Sequence, residues 1–598
     1  MSLRLVLTPI DALSEDQMEE TVYLGEWVSI YPDVAKHLGS SVKICRYHWD
    51  DRAKLQSDHH YLNALFNRAI PALAAHLNKV LGVNHAPVYW EILIGPWLHE
   101  FIQILFDRFS SLEVASKEYQ NLKVHLCSLN LDKMIPNDMP DFRSKINSYL
   151  WNHYIYGQII KQSEFPIEWM EVGPPSKKVT FLEFREQQNA RRVDLGFFRV
   201  KRRAKFLAEA LERRLRRSTD VFIFQSYLPT RIRLSIYLRL WQFPIVTSKQ
   251  EIDVYEVSDE LRNWQVQLNP QNQFEQIFIN ILTNQIPKIY IEGYGELCAA
   301  VNEKNWPTNP RAIFTANGYN SHDHFKEWVG RKKEQGVPLL IAQHGGTNGI
   351  GLIVSAEDRE RAISDRYLTW GWSEKGNPQL VPIGQVKSNR KRRKRSRNYE
   401  SLVLVTFGKS PFSASISSFP VSGQWLQYQD ENYEFVDSLQ LSVRERLIIR
   451  LYPIEYGWNQ RERWRDRFST VQLDDTVGRL EVLLKKCRLV VCTYNSTTFL
   501  ETMSMGIPTV IVWNPKYSEL RSGSLGDFER LKKVRIFFDD PAEAANHVNQ
   551  IWENVSDWWF NSEVQAEVSA FCKRYSYVNS RWAEHFTKLI KEVEQAGG

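Results

Sequence analysis

Hydrophobic and polar positions follow two different rhythms along the chain. After a strand-like run at Leu3–Leu7, apolar residues recur three and four positions apart between about residues 60 and 215, as in YLNALFNRAIPALAAHLNKVLG and YWEILIGPWLHEFIQILFDRF. This spacing predicts a helix-rich segment. From about Asp220, short apolar runs bounded by turn residues alternate with helical patterns. That alternation predicts β–α–β units and a parallel sheet.

The β–α–β rhythm occurs twice, on either side of a basic segment. Apolar runs such as KIYIEGYG, RAIFTANG and VPLLIAQHGG precede that segment, and SLVLVTFG, ERLIIRLYP, RLVVCTYNS and IPTVIVWNP follow it. We therefore expect an α/β protein with two Rossmann-like, doubly wound lobes facing a cleft. The predicted parts are an N-terminal lobe at 1–385, a basic connector at 386–399, a C-terminal lobe at 400–545 and C-terminal helices at 546–598.

The positive net charge comes from one short stretch. Lys387–Arg397 carries eight basic residues, and without them the net charge of +6 would become −2. The pattern predicts a solvated connector. Its alternative role is contact with an anionic membrane surface, where each basic residue contributes on the order of 1 kcal/mol. No recognition motif accompanies the stretch, so we expect no nucleic-acid partner.

Targeting signals and cysteine pairs are missing from the sequence. No apolar run has the length that spans a bilayer, and acidic residues directly follow the short apolar start, which is unlike a signal peptide. We therefore expect a cytoplasmic protein, with the inner face of the plasma membrane as the place where the basic stretch would attach it. The six cysteines form no C-x-x-C pair, so the pattern predicts neither disulfides nor a metal site.

Two strand ends in the N-terminal lobe carry candidate chemistry, since ligands of parallel sheets bind outside the carboxyl ends of the strands. Glu292 follows the apolar run KIYI, where a carboxylate can meet a ligand or simply cap a turn. Gln343 and His344 follow the run LLIA, and Gly345 and Gly346 begin a series of four glycines in seven residues. Glycines leave backbone N–H groups open to an anion. The alternative is a histidine held in a tight turn.

The C-terminal lobe offers two further strand ends. Arg450, Tyr452 and Pro453 close the run ERLIIRLYP, where a cation can hold a phosphate. The run RLVVC leads into a cluster of small polar residues and then into a helix that carries Glu501. Such a cluster caps the helix or binds an anion at its N-terminus. Glu501 is placed to reach a ribose. The cluster consists of Asn495, Ser496, Thr497 and Thr498.

Ordered blocks along most of the chain resemble a family of transferases linked to O-antigen and surface-carbohydrate loci in bacteria. The blocks include VYLGEWVSIY, YWEILIGPWL, SYLWNHYIYG, IAQHGG, SDRYLTWGW and NSTTFLETMSMGIPTV. A broader similarity links the chain to bacterial sialyltransferases and capsule Kdo transferases of the GT-B fold. Their three motifs, an acid before glycine, HP, and Ser–Ser/Thr, are matched by Glu292–Gly293, Tyr452–Pro453 and Ser496–Thr497. The second motif departs from the pattern, with tyrosine in place of histidine.

The resemblance implies a metal-independent glycosyltransferase without a cofactor. A CMP-activated nonulosonic acid or Kdo-type sugar would pass to a glycan or lipid-linked glycan acceptor. The C-terminal lobe would bind the nucleotide and the N-terminal lobe the acceptor. Glu292 would act as general base or nucleophile, and His344 would stabilise the departing phosphate. A CDP-polyol phosphotransferase and a non-catalytic glycan- or nucleotide-binding scaffold remain alternatives. The glycosyltransferase mechanism requires positions 292, 344 and 496 to converge on one cleft.

Overall fold

The structure is a computed structural model that describes residues 3–12, 20–27, 43–174, 217–243, 253–386, 399–474 and 480–597. These residues form three separate parallel sheets. The N-terminal sheet has the order β3-β2-β1-β4-β5, which reverses beside β1 as in a doubly wound fold. Its strands are β1 (Leu3–Val6), β2 (Thr21–Tyr23), β3 (Lys43–Ile44), β4 (Leu122–Cys127) and β5 (Ile167–Val172).

The middle sheet follows the chain in order, from β6 at one edge to β10 at the other. Alternate side chains along it enter two different hydrophobic clusters, so both faces are buried. One face is covered by the chain's last helix, Trp582–Gly597, which returns from the C-terminal part. The strands are β6 (Phe222–Phe224), β7 (Ile313–Thr315), β8 (Leu339–Ala342), β9 (Arg366–Thr369) and β10 (Leu380–Pro382).

The C-terminal sheet has the order β13-β12-β11-β14-β15-β16. The strand order reverses between β11 and β14, which creates the crevice where α/β proteins bind ligands. The strands are β11 (Ser401–Val405), β12 (Leu447–Arg450), β13 (Gln472–Asp474), β14 (Cys487–Cys492), β15 (Thr509–Val512) and β16 (Phe537–Phe538). Below, the N-terminal, middle and C-terminal units are the parts of the chain built around these three sheets.

Helices cover the sheets and join the units. The longest, Pro87–Glu118, is apolar around most of its circumference and buried along most of its length, because other helices pack on several sides of it. The remaining α-helices are Pro9–Ala12, Arg52–Leu81, Leu131–Met134, Met139–Lys145, Tyr149–Gln162, Thr230–Leu240, Asp259–Arg262, Gln273–Leu282, Tyr294–Asn302, Gly318–Ser321, Asp323–Glu334, Ser355–Ile363, Gln424–Asp437, Leu441–Arg444, Gln460–Arg467, Leu480–Leu484, Thr497–Ser504, Ser522–Lys533, Pro541–Ile551, Val555–Trp559 and Ser562–Tyr575.

The predicted α/β fold with parallel sheets is confirmed. The predicted N-terminal lobe at 1–385, however, contains two sheets rather than one. The sheet in the helix-rich part was missed because three of its strands have only two to four residues, too short to show a period. The basic stretch Lys387–Arg397 lies outside the described residues.

The strand predicted at KIYI is wrong. Lys288–Tyr290 forms a 3₁₀ turn, and the backbone N–H groups of Lys288 and Ile289 donate to carbonyls of Pro136 and Asn137. The run is apolar because Ile289 and Tyr290 are buried between units, not because they lie in a sheet. A short apolar run cannot distinguish these two kinds of burial.

Candidate active site

Two loops meet at the point where the strand order of the C-terminal sheet reverses. β11 and β14 are neighbours, and the chain continues from them into residues 406–410 and 493–496. The Tyr428 hydroxyl accepts from N of Phe407 at 2.8 Å and hydrogen-bonds with Oγ1 of Thr493. One buried side chain therefore fixes both loops, which form the first candidate wall for a ligand.

The small polar cluster behind the second loop does two things. Ser496 is the N-cap of the helix Thr497–Ser504, and its Oγ accepts from N of Thr498 at 3.2 Å. Thr497 turns toward the middle unit, where its Oγ1 accepts from N of Gly346 at 3.0 Å. The clusters predicted around positions 344 and 496 therefore lie against each other.

Close packing accounts for two of the glycines after His344. A Cβ on Gly346 would lie 2.4 Å from the carbonyl oxygen of Ser496. Gly349 has a φ of +75°, and its N–H donates to the Glu357 carboxylate at 2.8 Å. The predicted role of Gly346 in offering its N–H to an anion is therefore disfavoured, because Thr497 already accepts from it. Within the described residues, the N–H of Gly345 makes no hydrogen bond, so its predicted role stays open.

Gln343 stabilises the loop rather than binding a ligand. Its Nε2 donates to the carbonyl of Gly345 at 2.8 Å, and its Oε1 accepts from N of Trp370 and from Nε1 of Trp372. The side chain is 3% exposed. The predicted donor-binding role of Gln343 is disfavoured, because its buried amide hydrogen-bonds to protein groups that set the path of the loop.

His344 lies beside a buried acid. Its Nδ1 is 3.5 Å from Oε1 of Glu360, and the two side chains are 24% and 1% exposed. Burial raises the pKa of Glu360 well above its ordinary value, and the negative charge of Glu357 raises it further. A hydrogen bond from Tyr367 opposes the shift. Burial therefore disfavours the charged form of Glu360, and His344 has this carboxyl group on one side and solvent on another.

The Arg450 side chain is engaged in an ion pair. Its Nη1 lies 2.6 Å from Oδ2 of Asp474, which ends the adjacent strand β13. The predicted phosphate contact through Arg450 is therefore disfavoured, because its charge is balanced within the protein. Tyr452 packs on Gly408, where a Cβ would lie 2.7 Å from its ring, so it borders the first candidate loop. Pro453 is exposed.

Asn495 has an unsatisfied acceptor. The residue is 1% exposed, and its Oδ1 has no hydrogen-bond partner in the part of the chain that the structure describes. Its backbone carbonyl accepts from Oγ1 of Thr347 at 3.1 Å. A buried acceptor without a donor costs about 1–3 kcal/mol, so a ligand or water at this position would be stabilising. Thr498 and Glu501, in the first two turns of the helix, are half-buried.

Glu292 is far more tightly held than a catalytic base needs to be. Both of its carboxylate oxygens accept from the Arg262 guanidinium, at 2.6 and 2.7 Å, and Oε1 also accepts from N of Ser258 at 3.1 Å. The two charged side chains are 3% and 6% exposed. Among the described residues, the hydrogen bonds of Glu292 go to the segment 258–262 and none goes to the loops around 344 and 496. The predicted catalytic role is disfavoured by this bidentate pair.

Sequence reasoning missed a cavity that the three units share. Its volume is about 210 Å³, and its charged lining residues are Glu100, Arg359 and Lys409. The signal was present in WLHEFIQILFDRF, because charged residues are rarely buried in an apolar helix without a function or a partner. Elsewhere among the described residues, no group of three His, Cys, Asp or Glu side chains is placed to hold a metal ion. No described helix combines the length and hydropathy needed to cross a membrane.

Several solved structures share a low similarity with this chain. Against MurG of Acinetobacter baumannii the identity is 12% and the TM-score 0.31, with 62% of this chain and 99% of that chain covered. Against the spinosyn rhamnosyltransferase SpnG with its aglycone, the identity is 10% and the TM-score 0.27, with 79% and 99% covered. The calicheamicin glycosyltransferase CalG4 gives 10% and 0.27, with 55% and 82% covered. Scores of this size do not establish a shared fold.

Comparison with family models gives a direct answer. No curated protein matches the chain. A model described as the LIC12162 family transferase matches residues 3–590. The match covers nearly the whole chain and confirms the transferase family that the ordered sequence blocks indicated. The chain therefore belongs to the LIC12162 family of transferases.

Proposed function

We propose that this transferase is a glycosyltransferase of the GT-B type, which moves a sugar from a nucleotide donor to a hydroxyl of a glycan or lipid-linked glycan. The observation that carries the proposal is the contact between Gly346 and the N-terminus of the helix Thr497–Ser504. This contact joins the middle unit to the C-terminal sheet at its switch point. A donor and an acceptor that react with each other must be held side by side, and a junction between two units can place one substrate on each unit.

The nucleotide would bind to the C-terminal unit. The loop 406–410 and residues 493–496 flank the switch point, and the Oδ1 of Asn495 needs a donor there. Tyr452 supplies an aromatic face beside Gly408. A helix N-terminus nearby favours negative charge through its dipole. These features suit the phosphate and ribose of a nucleotide better than they suit an apolar ligand.

His344 would accept the proton of the acceptor hydroxyl. As the acceptor oxygen bonds to the anomeric carbon, the bond from that carbon to the donor phosphate breaks, and the phosphate keeps the electron pair. A charged carboxylate beside His344 would hold the imidazole in its protonated form, which cannot act as a base. Glu360 lies 3.5 Å away, and burial raises the pKa of its carboxyl group well above the ordinary value, which weakens the hold of this acid on a protonated imidazole.

The donor that we propose is CMP-linked and carries a nonulosonic acid or a Kdo-type sugar. The support is the Ser496–Thr497 motif at the N-terminus of its helix, which resembles in type and order the nucleotide-binding motif of bacterial sialyltransferases and Kdo transferases. Arg450 gives no support, because Asp474 balances its charge. The acid of the first motif gives none either, since Glu292 is paired with Arg262.

The test uses the purified full-length protein with CMP-, CDP-, UDP- and GDP-linked donors. A donor at 100 times its Kd should raise the free energy of unfolding by about 2.7 kcal/mol. With an acceptor glycan present, we expect release of CMP and a product heavier by one sugar. A response restricted to UDP or GDP donors would overturn the CMP assignment and leave glycosyl transfer intact.

Variants separate the alternatives. His344→Ala should abolish turnover and keep the donor-induced stabilisation, whereas the exposed His60→Ala serves as its control and should change neither. A product that carries a polyol phosphate would identify a phosphotransferase instead. Donor binding without any product, over a broad panel of acceptors, would identify a scaffold and refute the proposed enzyme.

A further inference from the structure

The cavity at the junction of the three units is large enough for a sugar. Its volume of about 210 Å³ corresponds to roughly seven waters at their liquid volume. Its walls are the helix Pro87–Glu118, residues 353–359 of the middle unit and residues 409–419 of the C-terminal unit. Lys409 directly follows Gly408, on which Tyr452 packs, so the cavity adjoins the proposed nucleotide site.

One cation in the cavity lacks a counterion. Among the described residues, the Lys409 ammonium has neither an ion pair nor a hydrogen bond, although the charge of Glu100 acts on it. Burial lowers the pKa of Lys409, and Glu100 opposes that shift. Lys409 is half-buried and lines the cavity, so an anion beside its ammonium would be stabilising.

The neighbouring charges are already paired. Glu100 Oε1 lies 2.7 Å from Nη2 of Arg143, and Arg359 Nη1 lies 3.4 Å from Oε1 of Glu91. Burial also lowers the pKa of His99 to about 3, so its imidazole adds no positive charge. With these pairs balanced, the charge of Lys409 is the one that a ligand must neutralise.

Unsatisfied polar atoms surround the same space. Glu100 Oε2, Arg359 Nε and Ser417 Oγ have no hydrogen-bond partner in the described part of the chain. Ile416 and Phe419 supply apolar wall beside them. A sugar ring has hydroxyl groups that would hydrogen-bond to such unsatisfied atoms and an apolar face that would pack on such side chains. This lining therefore suits a sugar.

The C-terminal wall of the cavity is held in place by the N-terminal unit. Arg108 Nη1 donates to the carbonyl of Ser413 at 2.8 Å, and Gln103 Oε1 accepts from N of Ile416 at 2.7 Å. Arg108 and Gln103 are both buried. A wall fixed by buried hydrogen bonds loses little entropy when a ligand binds, as a preformed site requires.

We infer that this cavity binds a monosaccharide unit that carries an anionic group, with a carboxylate or phosphate at Lys409 and ring hydroxyls at Glu100 and Ser417. The inference deepens the proposed function, on which it rests for sugars as substrates. It makes an acidic sugar, rather than a neutral one, the substrate class of the site.

Isothermal titration of the full-length protein with glucuronate, glucose 6-phosphate and glucose tests the inference. Glucuronate and glucose differ by the carboxylate, and glucose 6-phosphate supplies the phosphate. We expect one or both acidic sugars to bind at least tenfold more tightly than glucose. Comparable binding of all three would overturn the inference. The acidic sugar that binds more tightly then shows whether the site prefers a carboxylate or a phosphate.

Lys409→Met should reduce the affinity for the acidic sugar to that for glucose, while the exposed Lys485→Met should leave it unchanged. Equal affinity in Lys409→Met and wild type would overturn the inference. If Lys409→Met fails to fold, the crystal structure of the wild-type protein soaked in the acidic sugar shows where the sugar binds. An anionic group within hydrogen-bond distance of Lys409 supports the site, and density elsewhere refutes it.

The two proposals can fail separately. Turnover of nucleotide sugars together with acidic-sugar binding that does not depend on Lys409 would leave glycosyl transfer standing and remove the cavity assignment. Binding of an acidic sugar that depends on Lys409, without turnover of any nucleotide sugar, would leave the site standing and remove the proposed enzyme.

Discussion

Gly346 and Ser496, 150 positions apart in the chain, touch through their backbones. A Cβ added to Gly346 would lie 2.4 Å from the carbonyl oxygen of Ser496 and 2.6 Å from N of Thr497. No side chain other than hydrogen fits there without moving one unit relative to the other. The contact fixes the distance between the middle and C-terminal units at the proposed nucleotide site.

Gly346→Ala should therefore separate the two units locally. We expect a loss of about 1–3 kcal/mol in the free energy of unfolding, typical of overpacking against rigid backbone, together with a smaller stabilisation by the donor. Urea denaturation with and without donor measures both. Gly345→Ala is the control, because its Cβ would meet only Oδ1 of Asn348, at 3.1 Å. Equal stability of the two variants would contradict the close contact.

Glu292 should prove structural. Removing one partner of a buried ion pair leaves the other uncompensated and costs about 3–5 kcal/mol, so Glu292→Ala should lower the free energy of unfolding by about that amount. The double variant Arg262→Met/Glu292→Met should recover much of the loss, since no charge is then left unpaired. Urea denaturation provides the measurement. A stably folded Glu292→Gln protein with no turnover would instead restore the catalytic role.

Glu360 should make stability fall as pH rises. Its pKa in the folded protein is raised well above the ordinary 4.5 by burial. Above about pH 4.5 the unfolded chain loses this proton while the folded protein keeps it. The free energy of unfolding therefore falls by up to about 1.4 kcal/mol per pH unit from this group, until pH reaches the folded pKa.

Glu360→Gln removes that dependence. The stability of the variant relative to the wild type should increase as the pH rises above about 4.5, as urea denaturation at several pH values would show. Glu553→Gln, at an exposed position, is the matched control. Parallel pH profiles for wild type and Glu360→Gln would show that Glu360 is not held neutral.

If the basic stretch Lys387–Arg397 has its alternative role, it should bind anionic membranes. Its eight basic residues together should hold the protein on vesicles rich in anionic lipid at low salt. At about 1 M salt the screening length falls to about 3 Å, so the protein should no longer float with the vesicles. A variant with all eight residues changed to glutamine is expected to stay unbound. Equal flotation of this variant would assign any membrane contact to another surface.

The sequence by itself determined the local features of this protein. Apolar runs bounded by turn residues predicted the parallel sheet of the C-terminal unit, and the polar residues at 495–498 predicted a capped helix. These features depend on neighbours within a few positions, so periodicity and composition show them. The family match along residues 3–590 likewise needs only the sequence.

Tertiary structure alone decided which of the candidate residues are available for chemistry. Arg262 forms an ion pair with Glu292, Asp474 forms one with Arg450, and other protein groups hydrogen-bond to Gln343. Each partner comes from another element, and the cavity around Lys409 requires all three units. A side chain can bind a ligand only through charges and hydrogen-bonding groups that no other part of the protein has already paired. Those protein partners can lie hundreds of positions away in the sequence, as Arg108 and Ser413 do.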